Sequence, residues 1–207
     1  MQFAPSDIFA IAIVILISMS FHEAMHAFAS HWLGDPTAKD LGRLTLNPLK
    51  HIDIFMTVLL PVGLILFGMP PIFVAKPVPF HPDRLKYDEF GAALVGLAGP
   101  FTNLLLAITA AGLLRAFDFP EGLFDGLLLF IRINLAFFVF NMIPFPPLDG
   151  SRLLYAIAPE PLQRLMYSIE MMGFFPLIFF LVFLSPVVGP IVGYCVDSLT
   201  CSFLGPC

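Results

Sequence analysis

Four stretches of this sequence, 7–32, 91–117, 123–143 and 171–196, are long and apolar enough to cross a lipid bilayer as helices. A helical span needs roughly 20 mostly apolar residues. In lipid every backbone polar group must be satisfied within the protein, which leaves a helical bundle as the architecture open to spans of this length. Composition agrees: 58% of the 207 residues are hydrophobic and 12% are charged, about half the charge of an ordinary soluble domain. These features predict an all-α polytopic membrane protein with about four to five transmembrane helices, forming one domain over 1–207. The net charge of −5 is modest and dispersed, with no basic patch to suggest nucleic acid. The first residues, MQFAPSDIF, lack the positive region of a secretory signal, so the first apolar segment is expected to stay in the protein.

A fifth apolar segment, 52–75, is irregular. Its second half, with the residues that follow, reads PPIFVAKPVP, and prolines at this density cannot sit in a regular helix. The three cysteines, Cys195, Cys201 and Cys207, crowd the C-terminus without a Cys-x-x-Cys pair. They read as terminal thiols, unpaired or loosely paired, and not as a zinc knuckle.

The first apolar run contains SFHEAMHAF, residues 20–28. Four residues separate His22 from His26, so on a helix both imidazoles project from one face, about one turn apart. That spacing lets them hold one small tetrahedral metal ion. Glu23 beside them is placed to polarise a water and carry its proton. Zinc suits such a set because it accepts imidazole and carboxylate ligands. In a soluble helix this motif would be weak. Within a membrane span, each ionisable group costs about 2.5–3.5 kcal/mol by insertion scales, and a bound cation is the natural compensation. The soluble extension of the motif needs glycine at 29 and histidine at 32, where Ala29 and Trp32 stand. His31 is expected near the membrane interface beside Trp32.

Catalytic zinc usually takes three protein ligands and leaves one position open. The candidate for the third is Asp149, in NMIPFPPLDGSRLL at 141–154. Asp149 could instead cap a short helix over SRLLYAIA.

Together HEAMH, GLAGPFTN (96–103) and NMIPFPPLDG resemble the site-2 protease family of intramembrane zinc metalloproteases. The order matches and the likeness covers almost the whole chain. The resemblance implies one Zn2+ ion held by His22, His26 and Asp149, with Glu23 as general base. It also implies that Asn103 and Asn141 lie near the active site as substrate or oxyanion contacts, although helix–helix hydrogen bonding serves either equally well. The implied activity is hydrolysis of peptide bonds in or next to transmembrane segments of substrate proteins. The partners are then a membrane-protein substrate and the bilayer, and the location is the plasma membrane of a prokaryote. There is room for neither the PDZ nor the CBS domains of larger relatives. The rival readings are a silent member that binds transmembrane partners and a membrane metal transporter. No other helix offers the ladder of ligands that transport would need.

Parity adds a constraint. For Asp149 to reach the depth of His22 and His26, the chain must not cross once at 52–75. A re-entrant element over 52–80, helical on the way in and extended on the way out, satisfies this. It also gathers Lys39, Arg43, Lys50, Lys76, Arg84, Lys86, Arg152 and Arg164 on one side, leaving only Arg115 and Arg132 elsewhere. The positive-inside rule makes that side cytoplasmic. The extended part, near Val74 and Ala75, is expected to pair with an unwound substrate as an added strand. Arg132, inside an apolar run, is expected to pair with Asp125 on its own helix.

Overall fold

The computed structural model of the chain describes residues 5–59, 63, 75–173 and 175–205. Among these there is no strand, and the elements are helical throughout. The long helices are α1 (Pro5–Trp32), α3 (Asp88–Ala116), α4 (Glu121–Asn141) and α8 (Ser185–Leu204). Shorter ones are α2 (Thr37–Asp40), α5 (Gly150–Ile157), α6 (Glu160–Glu170) and α7 (Phe175–Phe179). Stretches of all four long helices are apolar enough to cross a membrane.

The burial pattern is that of a bundle solvated by lipid. Ile8, Phe9, Phe101, Leu105, Phe124 and Ile191 all face outward, a density of exposed apolar side chains that water would not tolerate. The most enclosed span is α3. Its buried positions are mostly small: Gly91, Ala92, Ala93, Gly96, Gly99, Ala107, Ala110 and Ala111. Small residues let neighbouring backbones approach closely where no hydrophobic drive separates helix from lipid. The main apolar cluster joins α3 (Ala107, Ala110, Ala111), α4 (Ile131, Leu135) and α8 (Val196). α1 packs against both α3 and α4, and the bundle places the HEAMH turn of α1 against the GLAGPFTN stretch.

The last span differs from its expected limits of 171–196. Its long helix runs Ser185–Leu204, preceded by α7 and a π-helical stretch, Phe180–Leu184. Pro186 opens the long helix in its first turn, where a missing N–H costs nothing.

The irregular segment after α2 begins and ends at one place. Lys76 N–H donates to the His51 carbonyl at 3.0 Å, so a single crossing between them is excluded. Ile54–Leu59 is π-helical and 75–80 has no regular secondary structure. Residues 60–62 and 64–74, with Val74 and the first part of PPIFVAKPVP, lie outside the described residues. The returning end is tied down from three directions. The buried Arg43 guanidinium donates to the carbonyls of Lys50, Lys76 and Pro77. The buried Asp35 carboxylate accepts from His81 N–H at 2.7 Å and Thr37 N–H at 3.0 Å. Val78 N–H donates to Glu23 Oε2 at 3.1 Å.

Arg132 does not pair within its own helix. Its guanidinium donates to Asp197 of α8 at 2.6 Å. Asp125 lies two helical turns away, about 10 Å along the axis, whereas α8 brings Asp197 alongside. Cys201 is disulfide-bonded and Cys195 is free; Cys207 lies outside the described residues.

Candidate active site

His22 and His26 are buried on the inner face of α1. Their Nε2 atoms lie 3.0 Å apart. Asp149, entering from the loop that leads into α5, sets Oδ2 3.0 Å from His22 Nε2 and Oδ1 3.4 Å from His26 Nε2. The three side chains therefore converge on one point from two segments 127 residues apart in sequence.

Hydrogen bonding behind the imidazoles decides what kind of point it is. His26 Nδ1 lies 2.7 Å from the Val95 carbonyl, and a carbonyl can only accept, so Nδ1 carries the proton. His22 Nδ1 lies 2.6 Å from Asn103 Oδ1 and donates in the same way. A neutral imidazole has one N–H, so both Nε2 atoms present lone pairs inward. Two lone pairs and a carboxylate facing one another within about 3 Å would repel unless a cation lay among them. Nitrogen and oxygen donors with imidazoles held by outer partners fit a zinc-sized ion.

α3 meets this point through Gly99. A Cβ there would stand 2.4 Å from His26 Nε2 and 2.7 Å from His22 Nε2, so only glycine lets the helix pass so close. Gly150 has a similar part in the other segment: a Cβ would lie 2.4 Å from the Met142 carbonyl. The tight NMIPFPPLDG turn that delivers Asp149 depends on that space. Asp149 also stands at the N-cap of α5, but its side chain makes no capping hydrogen bond.

A cavity of about 420 Å³ opens beside the three donors. Glu23, half-buried, lines it with Asn141, Pro77, Val78 and Arg152. Arg152 pairs with Glu170 and lies over the Phe80 ring at 5.5 Å, closing one edge. Asn141 is held by its own helix, donating to the Phe137 carbonyl at 3.0 Å. Asn103 lies at the site, its Oδ1 2.6 Å from His22 Nδ1. It is fully buried behind His22 and does not line the cavity. Its amide donates to the Ser18 carbonyl and to Asn134 Oδ1.

The sequence reading missed Asn134, Ser18 and the steric role of Gly99. Asn134 carried a usable signal, since a lone amide inside LLLFIRINLAFF needs a partner in lipid as much as Arg132 does. The strand-pairing edge was expected near Val74 and Ala75, and Val74 lies outside the described residues. From 76 to 79 the N–H groups of Lys76 and Val78 are engaged, and the other two residues are prolines. This stretch offers an incoming strand no donor.

A multi-pass membrane protein that sets a His-Glu-x-x-His helix against an aspartate is the class these features define. Comparison with known proteins agrees. The chain is 36% identical over 186 residues to "Putative zinc metalloprotease YwhC" of Bacillus subtilis, covering 86% of this chain and 81% of that protein. It is 33% identical over 164 residues to "Putative zinc metalloprotease Rip2" of Mycolicibacterium smegmatis, covering 77% of this chain and 61% of the relative, so it spans less than two thirds of that protein. A 75-residue stretch is 39% identical to "Putative zinc metalloprotease MJ0611" of Methanocaldococcus jannaschii. No family model and no solved structure matches. The chain belongs to the site-2 protease family of zinc metalloproteases.

Proposed function

We propose that this protein is an intramembrane zinc endopeptidase that hydrolyses a peptide bond in or beside a transmembrane helix of a substrate protein. The observation that carries the reading is the meeting of three donors, His22 Nε2 and His26 Nε2 on a membrane-spanning helix and the Asp149 carboxylate from the loop before α5, beside a cavity that Glu23 lines. His22, His26 and Asp149 would hold one Zn2+, which when bound supplies the Lewis acidity that makes water a nucleophile near neutral pH. Glu23 takes the proton from the attacking water and passes it to the leaving amide nitrogen. Val78 N–H fixes Oε2 of Glu23, leaving Oε1 for that exchange. Asn141, on the cavity wall, is the remaining candidate for contact with substrate or oxyanion. Asn103 is proposed instead to orient His22.

Lys39, Arg43, Lys50, Lys76, Arg84, Lys86, Arg152 and Arg164 supply eight of the ten Lys and Arg residues. The positive-inside rule puts the face they share with the catalytic cavity toward the cytoplasm. Cys201, disulfide-bonded near the end of α8, then belongs to the outer face, where disulfides persist. The bilayer is read as the plasma membrane of a prokaryote.

The test is co-reconstitution with a transmembrane substrate. Glu23→Gln is expected to abolish cleavage, by at least about 100-fold, while zinc content stays at one ion per chain. Undiminished cleavage by Glu23→Gln would eliminate the reading.

A further inference from the structure

We propose that Asn134 is a positioning residue for the metal centre, acting through Asn103 to fix the protonation pattern of His22. The inference rests on the metalloprotease reading and deepens it. Asn134, Asn103 and Ser18 are each 0% exposed, and they belong to three different helices, α4, α3 and α1.

The orientation of each amide follows from groups that can only accept. One terminal atom of Asn134 lies 2.8 Å from the Phe130 carbonyl and 2.9 Å from Ser18 Oγ. A carbonyl cannot donate, so that atom is the Asn134 nitrogen, and the Asn134 oxygen faces α3. The atom of Asn103 that it meets, at 2.8 Å, also lies 3.2 Å from the Ser18 carbonyl. That atom is therefore the Asn103 nitrogen, with both its hydrogens used. The Asn103 oxygen is left for His22 Nδ1 at 2.6 Å. A proton on Nδ1 leaves Nε2 free to bind a cation.

The converse shows why Asn134 matters. A flipped Asn103 would turn its NH2 toward His22, draw a lone pair on Nδ1 and send the ring proton to Nε2. His22 could then no longer act as a ligand. The Ser18 carbonyl alone satisfies only one of the two Asn103 hydrogens. Asn134 supplies the second acceptor, and with it a fully connected network that has a single proton arrangement. A role confined to helix packing would not require this directional order.

The experiment measures zinc affinity of the purified full chain in detergent, by competition with a chromophoric chelator, with thermal unfolding of the zinc-free forms alongside. Asn134→Leu is expected to weaken zinc binding about 10–100-fold. Asn134→Asp, which keeps an oxygen for Asn103, is expected to stay within about three-fold of wild type. In an Asn103→Ala background Asn134→Leu should add less than about two-fold, because its effect passes through Asn103. If the leucine variant does not fold, Asn134→Ser takes its place with the same expected values, since it withdraws the oxygen from Asn103. Zinc affinity unchanged by these substitutions would overturn the inference. An equal loss with and without Asn103 would overturn it too, by marking Asn134 as merely structural. Absence of zinc binding in the wild type would instead overturn the reading of the site itself.

Discussion

A methyl group at position 99 would stand 2.4 Å from His26 Nε2 and 2.7 Å from His22 Nε2. Gly99→Ala is therefore expected to push the imidazoles apart while leaving the helix itself content with alanine. Zinc affinity should fall by at least about 10-fold, measured by metal content after dialysis against a chelator, with helical content retained. At this scale the sequence was informative wherever chemistry is local. The i, i+4 histidines and the glutamate between them announce a metal-binding face without any tertiary knowledge. What escaped it was relational. Nothing in GLAGPFTN tells that Gly99 faces the histidines, or that Asn103 meets His22 from behind instead of lining the cavity. Those facts depend on how α3 rotates against α1, which small residues permit but do not dictate.

Among the elements, the returning stretch after the irregular segment is held more by single buried groups than by secondary structure. Asp35 is the clearest of them. Burial raises its carboxyl pKa, but bonds from the Thr37 hydroxyl and from the His81 and Thr37 amides outweigh this and hold it below its ordinary 3.8. A depressed carboxyl stabilises the fold above that ordinary value, and the contribution is lost as pH falls through the lowered one. Asp35→Ala should cost about 1–3 kcal/mol near neutrality by leaving buried donors unpaired. The difference from wild type in thermal unfolding should narrow below about pH 4. Segment limits were legible for the first three spans, whose apolar runs end in charged or turn-forming residues. The last was misplaced because the run from 171 to 196 carries no charged residue to mark where the long helix begins.

On the scale of the whole molecule, parity was the strongest argument that the sequence allowed. Two motifs that must meet cannot lie at opposite faces, and the hydrogen bond between Lys76 and His51 joins the two ends of the segment that had to turn back. The same bookkeeping assigns sides to the loops. With Cys195 replaced by serine, Lys86→Cys should react with a membrane-impermeant maleimide only from the cytoplasmic face, and Asp118→Cys only from the outer face. The reverse pattern in intact cells would invert the proposed orientation. The pairing of Arg132 with Asp197 lay beyond sequence, because it depends on which face of α8 packs on α4.

The account turns on the convergence of His22, His26 and Asp149, and an anomalous difference map at the zinc edge, from crystals of the full chain, tests it most directly. The account predicts one peak per chain, bonded to both Nε2 atoms and to the Asp149 carboxylate, with Glu23 beside it but not bound. A peak elsewhere, or one that engages the histidines while Asp149 turns away, would contradict it.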